Sequence, residues 1–213
     1  MLLLELFSGT GSYTKVAKEL GLDVISVDIV PKFNPTILID ILDWDYTTIP
    51  IPDLITASPP CQTFSPLISS HKVRVRNLKT MEPLTLKGEI GDKLLFKTIE
   101  IIKYFLQKNQ NLKFVIENPR GYMRFMECMN QEPIKFMDIT WYSMYDAPYR
   151  KPTNFWSNLE NGLSLRVGDK KIEPILTQKI EKMKLEDKYK IPPSLCLDIL
   201  NKLIAAKKEE TLL

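Results

Sequence analysis

The chain reads as an α/β protein built on a mainly parallel sheet with helices on both faces. Three observations predict this. Short apolar runs alternate with helix-period segments from the first residues onward. Those runs end on acids, on a Gly-rich turn or on a proline pair, residues that suit strand ends and not ladder interiors. A length of 213 residues, with 44% hydrophobic and 26% charged content, suits one domain with a sizeable core.

The elements follow in order. Leu2 to Phe7 is the first strand, and Ser8-Gly9-Thr10-Gly11-Ser12 is a tight turn. Tyr13 to Leu20 has helical period, with Val16, Ala17 and Leu20 inward, and Gly21 stops it. Val24 to Asp28 and Thr36 to Ile39 are the next strands, ending at the acids Asp28 and Asp40. Leu54 to Ala57 is the fourth. Pro59 and Pro60 cannot continue a ladder, so Cys61 is presented on a stiff turn at a strand's carboxyl end. From Gln62 to Glu89 periodicity is weak, and a loop of that length predicts a mobile lid. Gly91 to Gln107 is the longest helix, with Leu94, Leu95, Ile99, Ile102 and Phe105 or Leu106 on its buried stripe. Phe114 to Ile116 is strand five, ending at Glu117-Asn118-Pro119. Residues 135–140 and 153–157 are later strands. Pro193 to Ala206 is a closing helix with Leu195, Ile199, Leu200 and Leu203 inside, and Lys207 to Glu210 is a frayed tail.

Composition narrows the function. Three cysteines, Cys61, Cys128 and Cys196, have no pairing pattern, which argues against a disulfide framework and a zinc site and favours a reducing, intracellular setting. The N-terminus lacks a basic leader, and no run reaches the ~20 apolar residues of a membrane span. Net charge is only +3. Its distribution says more: Lys72, Arg74, Arg76, Lys79 and Lys87 share one segment, and Arg120, Arg124, Lys135, Arg150 and Lys151 form a second set. Both permit phosphate contacts; a solvated basic loop is the plainer alternative.

Four features carry chemistry. The glycine pair Gly9 and Gly11 lets backbone approach a ligand, while Thr14 stands where a dinucleotide fingerprint wants its third glycine. Asp28 and Asp40, at successive strand ends, suggest an adenosine-containing cofactor, although each alone also suits a cap or turn. Cys61 is a candidate nucleophile or a structural thiol. Glu117, beside apolar neighbours, is a candidate proton donor with a raised pKa, or a capping acid.

Taken together, Phe7-Ser8-Gly9-Thr10-Gly11, Asp28, Asp40-Ile41, Ser58-Pro59-Pro60-Cys61-Gln62 and Glu117-Asn118 resemble the cytosine-C5 methyltransferases in order and spacing. Residues 145–158 and Ile191-Pro192-Pro193-Ser194-Leu195 resemble short phage- and virus-type members. The resemblance covers nearly the whole chain. It implies the Rossmann-like class I methyltransferase fold and S-adenosylmethionine as cofactor. The methionine end would rest on Phe7, Ser8, Gly9, Thr10 and Gly11, the ribose on Asp28, and the adenine near Asp40 and Ile41. Ile29, Ser58 and Pro59 would complete that set. Cys61 would attack C6 of cytosine, Glu117 would protonate or hydrogen-bond N3, and Asn118 and Arg150 would hold the ring or its developing charge. The target base would flip out of DNA, with Ser65, Lys72, Arg74, Arg76 and Lys151 toward the nucleic acid.

Three departures stand out. Pro119 replaces the valine of many members, and Tyr149-Arg150-Lys151 replaces a fuller two-arginine pattern. Only Leu159 to Lys190 separates the arginine motif from the closing helix, too little for a recognition domain with its own core. Recognition then comes from loops or from a separate specificity chain, or is slight. An RNA or nucleotide cytosine methyltransferase, and a non-catalytic DNA-binding subunit serving a partner, are the alternative readings.

Overall fold

The computed structural model describes residues 1–66, 74–168 and 183–211. Its strands are β1 (Leu2–Leu6), β2 (Asp23–Asp28), β3 (Ile37–Leu38), β4 (Leu54–Ala57), β5 (Lys113–Pro119), β6 (Phe136–Trp141) and β7 (Pro152–Ser157). Its helices are α1 (Ser12–Glu19), α2 (Leu86–Lys108), α3 (Leu185–Tyr189) and α4 (Pro193–Thr211). The strands form one sheet in the order β3-β2-β1-β4-β5-β7-β6. β1 pairs in parallel with β2 and with β4, so the strand order reverses between β1 and β4. That reversal opens a crevice at the carboxyl ends of these strands, where open α/β sheets bind ligands. β7 is inserted antiparallel between β5 and β6, and Pro152 starts it, where a missing N–H costs least.

Both faces of the sheet are covered, which explains why β1 and β4 read as mainly apolar runs without strict alternation. Leu4, Leu6, Ile55, Phe114, Ile116 and Trp156 pack toward Leu95, Ile99, Ile102 and Phe105 of α2. Leu3, Leu54, Val115 and Phe155 pack on the other face toward α1 and α4, which meet through Tyr13, Val16, Ala17, Leu195 and Ile199.

Four elements differ from expectation. α1 buries Tyr13 on its first turn, while Leu20 lies past its end and is exposed. β3 is only two residues long. Lys207 to Glu210 are not a frayed tail: α4 runs to Thr211, with Lys207 Nζ 3.1 Å from Asp53 Oδ1 and the Lys207 carbonyl accepting from Asn111.

The fourth difference is α2, which begins at Leu86, so Leu86–Glu89 belong to the helix and not to the lid. Thr85 caps it by accepting the Gly88 N–H at 3.3 Å. Gly88 and Gly91 look like helix breakers but serve close packing. A Cβ on Gly88 would stand 2.7 Å from the Val75 carbonyl, and one on Gly91 would overlap the Thr63 side chain. Gly91→Ala is therefore expected to destabilise by about 1–3 kcal/mol through overpacking against the turn that carries Cys61. Urea unfolding measures this; an unchanged midpoint would show that the turn simply yields.

Candidate active site

The turn after β1 is unusual backbone. Phe7, Gly9 and Gly11 all have positive φ, at 55°, 47° and 69°. For a phenylalanine this conformation costs on the order of 1–3 kcal/mol, and such strain tends to persist where a site demands it. The Gly9 N–H donates to Asp28 Oδ2 at 2.7 Å, and Val30 N–H donates to Asp28 Oδ1 at 2.8 Å. Asp28 is thereby locked across the crevice, while each carboxylate oxygen keeps a lone pair for a diol. A Cβ on Gly9 would meet only the Phe7 carbonyl, at 4.0 Å, so the space before the turn is open.

A cavity of about 460 Å³ runs from this turn to Cys61. Phe7, Ser8, Gly9 and Thr10 line one end with Asp28. Ile29, Ile41, Phe33 and Val27 supply apolar walls, and Asp40 sits beside them, its Oδ1 accepting the Leu42 N–H. Ser58, Pro59, Cys61 and Glu117 line the other end. Ile90 and Leu94 of α2, with Tyr189 and Ile191, close the sides. The size falls within the about 300–1,000 Å³ of small-molecule sites. An acid pair, an open glycine turn and apolar walls fit a nucleoside with a charged tail, as S-adenosylmethionine is. Gly11 caps α1 and does not line the cavity.

The reactive end has clear electrostatics. Cys61 opens a 3-10 turn after Pro60 and is half-buried. Burial raises its thiol pKa, the nearby Glu117 carboxylate raises it further, and Lys151 opposes both. Glu117 sits on β5 one residue beyond Ile116, the partner of Ala57. Burial raises its pKa, against Lys151, the Tyr142 hydroxyl and Ser58. Tyr142 donates to Glu117 Oε1 at 3.2 Å. The arrangement offers a thiol and a carboxylic acid that holds its proton above the usual carboxylate range.

The chain is 36% identical over 167 residues to a probable DNA (cytosine-5)-methyltransferase of Frog virus 3 (isolate Goorha), covering 75% of this chain and 72% of that protein. The chain belongs to the DNA (cytosine-5)-methyltransferase family. No family model matches it. The fold of this methyltransferase is similar to a candidate DNA modification methyltransferase encoded within an E. coli prophage, with TM-score 0.50 and 18% identity over 82% of this chain. It spans about half, 51%, of that structure's length. The S. pombe Dnmt2 methyltransferase gives TM-score 0.45 and 19% identity, over 75% of this chain and 51% of that one.

Several site expectations for this family member need correction, and strand geometry gives the reason. Adjacent strand residues point to opposite faces. Glu117 pairs with Phe155 and enters the cavity, so Asn118, paired with Asn154, faces away. Asn118 instead donates to the Pro59 carbonyl at 2.8 Å and steadies the Cys61 turn, which makes it a positioning residue. Arg150 also lies outside the cavity, exposed, with its guanidinium 5.2 Å from the Trp141 ring centroid. Lys151 is the one that lines the cavity, and its ammonium is engaged there instead of waiting on a surface for phosphate.

Arg76 is not a nucleic-acid contact either. It is fully buried: Nη2 lies 2.5 Å from Asp92 Oδ1, Nε donates to the Thr63 carbonyl at 3.1 Å, and the guanidinium is 4.5 Å from the Phe64 centroid. Arg74 is exposed, and Ser65 is half-buried at the root of the loop. Lys72 lies outside the described residues.

Two side chains at the candidate site, Glu5 lining the cavity and Tyr142 bonded to Glu117, escape a reading by local sequence. Glu5, an acid inside an apolar strand, accepts the Thr14 and Tyr13 N–H groups and the Thr14 hydroxyl, and burial raises its pKa to about 7. Its lone charge in Leu2-Leu3-Leu4-Glu5-Leu6 was the available signal. Tyr142 had none, because its value lies in a contact with a residue 25 positions away.

Proposed function

We propose that the protein transfers a methyl group from S-adenosylmethionine to C5 of cytosine in DNA through a covalent bond between Cys61 Sγ and C6. The observation that supports this most is one cavity joining the strained Phe7–Gly11 turn and Asp28 to Cys61 and Glu117. Cytosine is poorly nucleophilic at C5 until a nucleophile adds at C6. Cys61, as thiolate, adds to C6, and the C5–C6 π pair moves onto C5 while Glu117 gives its proton to N3. When bound, S-adenosylmethionine would supply an electrophilic methyl group to that carbon, its S–CH3 bond breaking with the electron pair left on sulfur as a neutral thioether. A base then takes the C5 proton, the C5–C6 double bond re-forms, the thiolate leaves and the N3 proton returns to Glu117. Asn118 keeps the Cys61 turn in place by holding the Pro59 carbonyl. The target base must leave the helix to reach this depth. Arg74, exposed in the segment before α2, is a phosphate contact. Residues 159–190 are too few for a further domain, so between the arginine motif and the closing helix site choice rests with loops, comes from a separate specificity chain, or is slight.

Labelled S-adenosylmethionine offered with duplex DNA, tRNA and dCMP in separate reactions tests the substrate. Label is expected in duplex DNA. Label confined to RNA or dCMP would overturn the DNA reading, and no label anywhere would favour a DNA-binding subunit.

A further inference from the structure

Two cations precede β7, and the sheet decides which one serves the reaction. Trp141 pairs with Pro152, and the Tyr142 N–H donates to the Lys151 carbonyl at 3.2 Å, which extends the β6–β7 ladder by one pair. Tyr142 and Lys151 are thus cross-strand neighbours on one face, the face of Glu117 and Phe155, and Arg150 is turned to the other. Lys151 Nζ donates to the Lys188 carbonyl at 3.0 Å and to the Tyr142 hydroxyl at 3.4 Å, and lies 4.6 Å from the Tyr142 ring centroid. The same hydroxyl donates to Glu117. A chain of contacts therefore runs from ammonium through a buried phenol to carboxyl, and its two ends, Lys151 and Glu117, line the same cavity as Cys61.

We propose that Lys151, and not Arg150, is the active-site cation, favouring the Cys61 thiolate and, through Tyr142, holding the Glu117 carboxyl. Burial and Glu117 both work against ionisation of Cys61; Lys151 is the charged side chain that opposes them, with a smaller contribution from the cysteine's own backbone N–H. Among the described residues, the other charged groups around the cavity do not substitute for it. Glu5, Asp28 and Asp40 line its cofactor end and carry the wrong sign, and α2 presents only Ile90 and Leu94. On α3, Tyr189 faces the cavity, while Glu186 and Asp187 are engaged by Lys32 and Lys190.

The catalytic consequence rests on the proposed function, but thiol reactivity does not, and that separates the two. Iodoacetamide alkylation of Cys61, followed by mass spectrometry of its peptide across about pH 6.5–10, reports the thiolate fraction. Lys151→Gln removes the charge but keeps donors for the Lys188 carbonyl and Tyr142. It is expected to slow alkylation at neutral pH by about tenfold, one unit of thiol pKa. Lys151→Arg is expected to stay within about threefold of wild type, and Arg150→Met to leave alkylation unchanged. Alkylation of Lys151→Gln at the wild-type rate, or equal slowing by Arg150→Met, would overturn the assignment even if the protein methylates DNA. If wild type methylates no substrate while Lys151→Gln still slows alkylation, the assignment stands and the proposed function fails.

Discussion

Cys61→Ala is expected to abolish both methyl transfer and the covalent adduct with a 5-fluorocytosine duplex, while cofactor binding survives. Loss of a sole nucleophile costs on the order of 10⁴–10⁶ in kcat. The thiol contributes one of many cavity surfaces and is only half-buried, so folding should change by no more than about 1 kcal/mol. Calorimetric titration with S-adenosylmethionine alongside adduct trapping separates the two effects. If binding disappears with the adduct, the cysteine is structural. The wild-type pH profile carries a second signature. In the proposed mechanism the productive form pairs a Cys61 thiolate with a protonated Glu117, and both pKa values are raised. Adduct formation should rise with pH as the thiolate forms, then fall as Glu117 loses its proton, with apparent pKa values that belong to the pair.

Arg76→Ala is expected to cause the largest loss of stability, about 3–5 kcal/mol, because it leaves Asp92 buried without its partner. For a chain of this size that corresponds to roughly 6–20 °C in Tm. Arg76 joins three pieces: the bridge between Arg76 and Pro83, the start of α2 through Asp92, and the turn after Cys61 through the Thr63 carbonyl. The double change Arg76→Met with Asp92→Leu should recover much of the loss, since apolar residues of similar volume avoid the desolvation cost. Thermal unfolding of the single and double variants checks this. A single variant within about 0.5 kcal/mol of wild type would show that the guanidinium is not a structural clamp.

Local sequence made some of this visible and not the rest, for physical reasons. Cys61 and Glu117 stood out because each combines a reactive side chain with a strand end, and strand ends are marked by prolines and polar residues. The glycine turn stood out because positive φ has few other solutions. By local sequence Arg76 belongs with phosphate contacts, because its neighbours are basic; its partner lies 16 residues away on a helix whose start two glycines hide. Those glycines are spent on close approach to Val75 and Thr63, a tertiary demand that overrides helix propensity.

What the sequence determined by itself is the alternation of strands and helices, the crevice at the strand ends, and the set of reactive residues brought there. The folded sheet alone selects which member of each neighbouring pair enters the cavity: Glu117 and not Asn118, Lys151 and not Arg150. A strand's side chains alternate with period two, so a shift of one residue in register exchanges every inward group for an outward one. That register is set by pairing between β5, β7 and β6, strands joined by long-range contacts and not by local sequence.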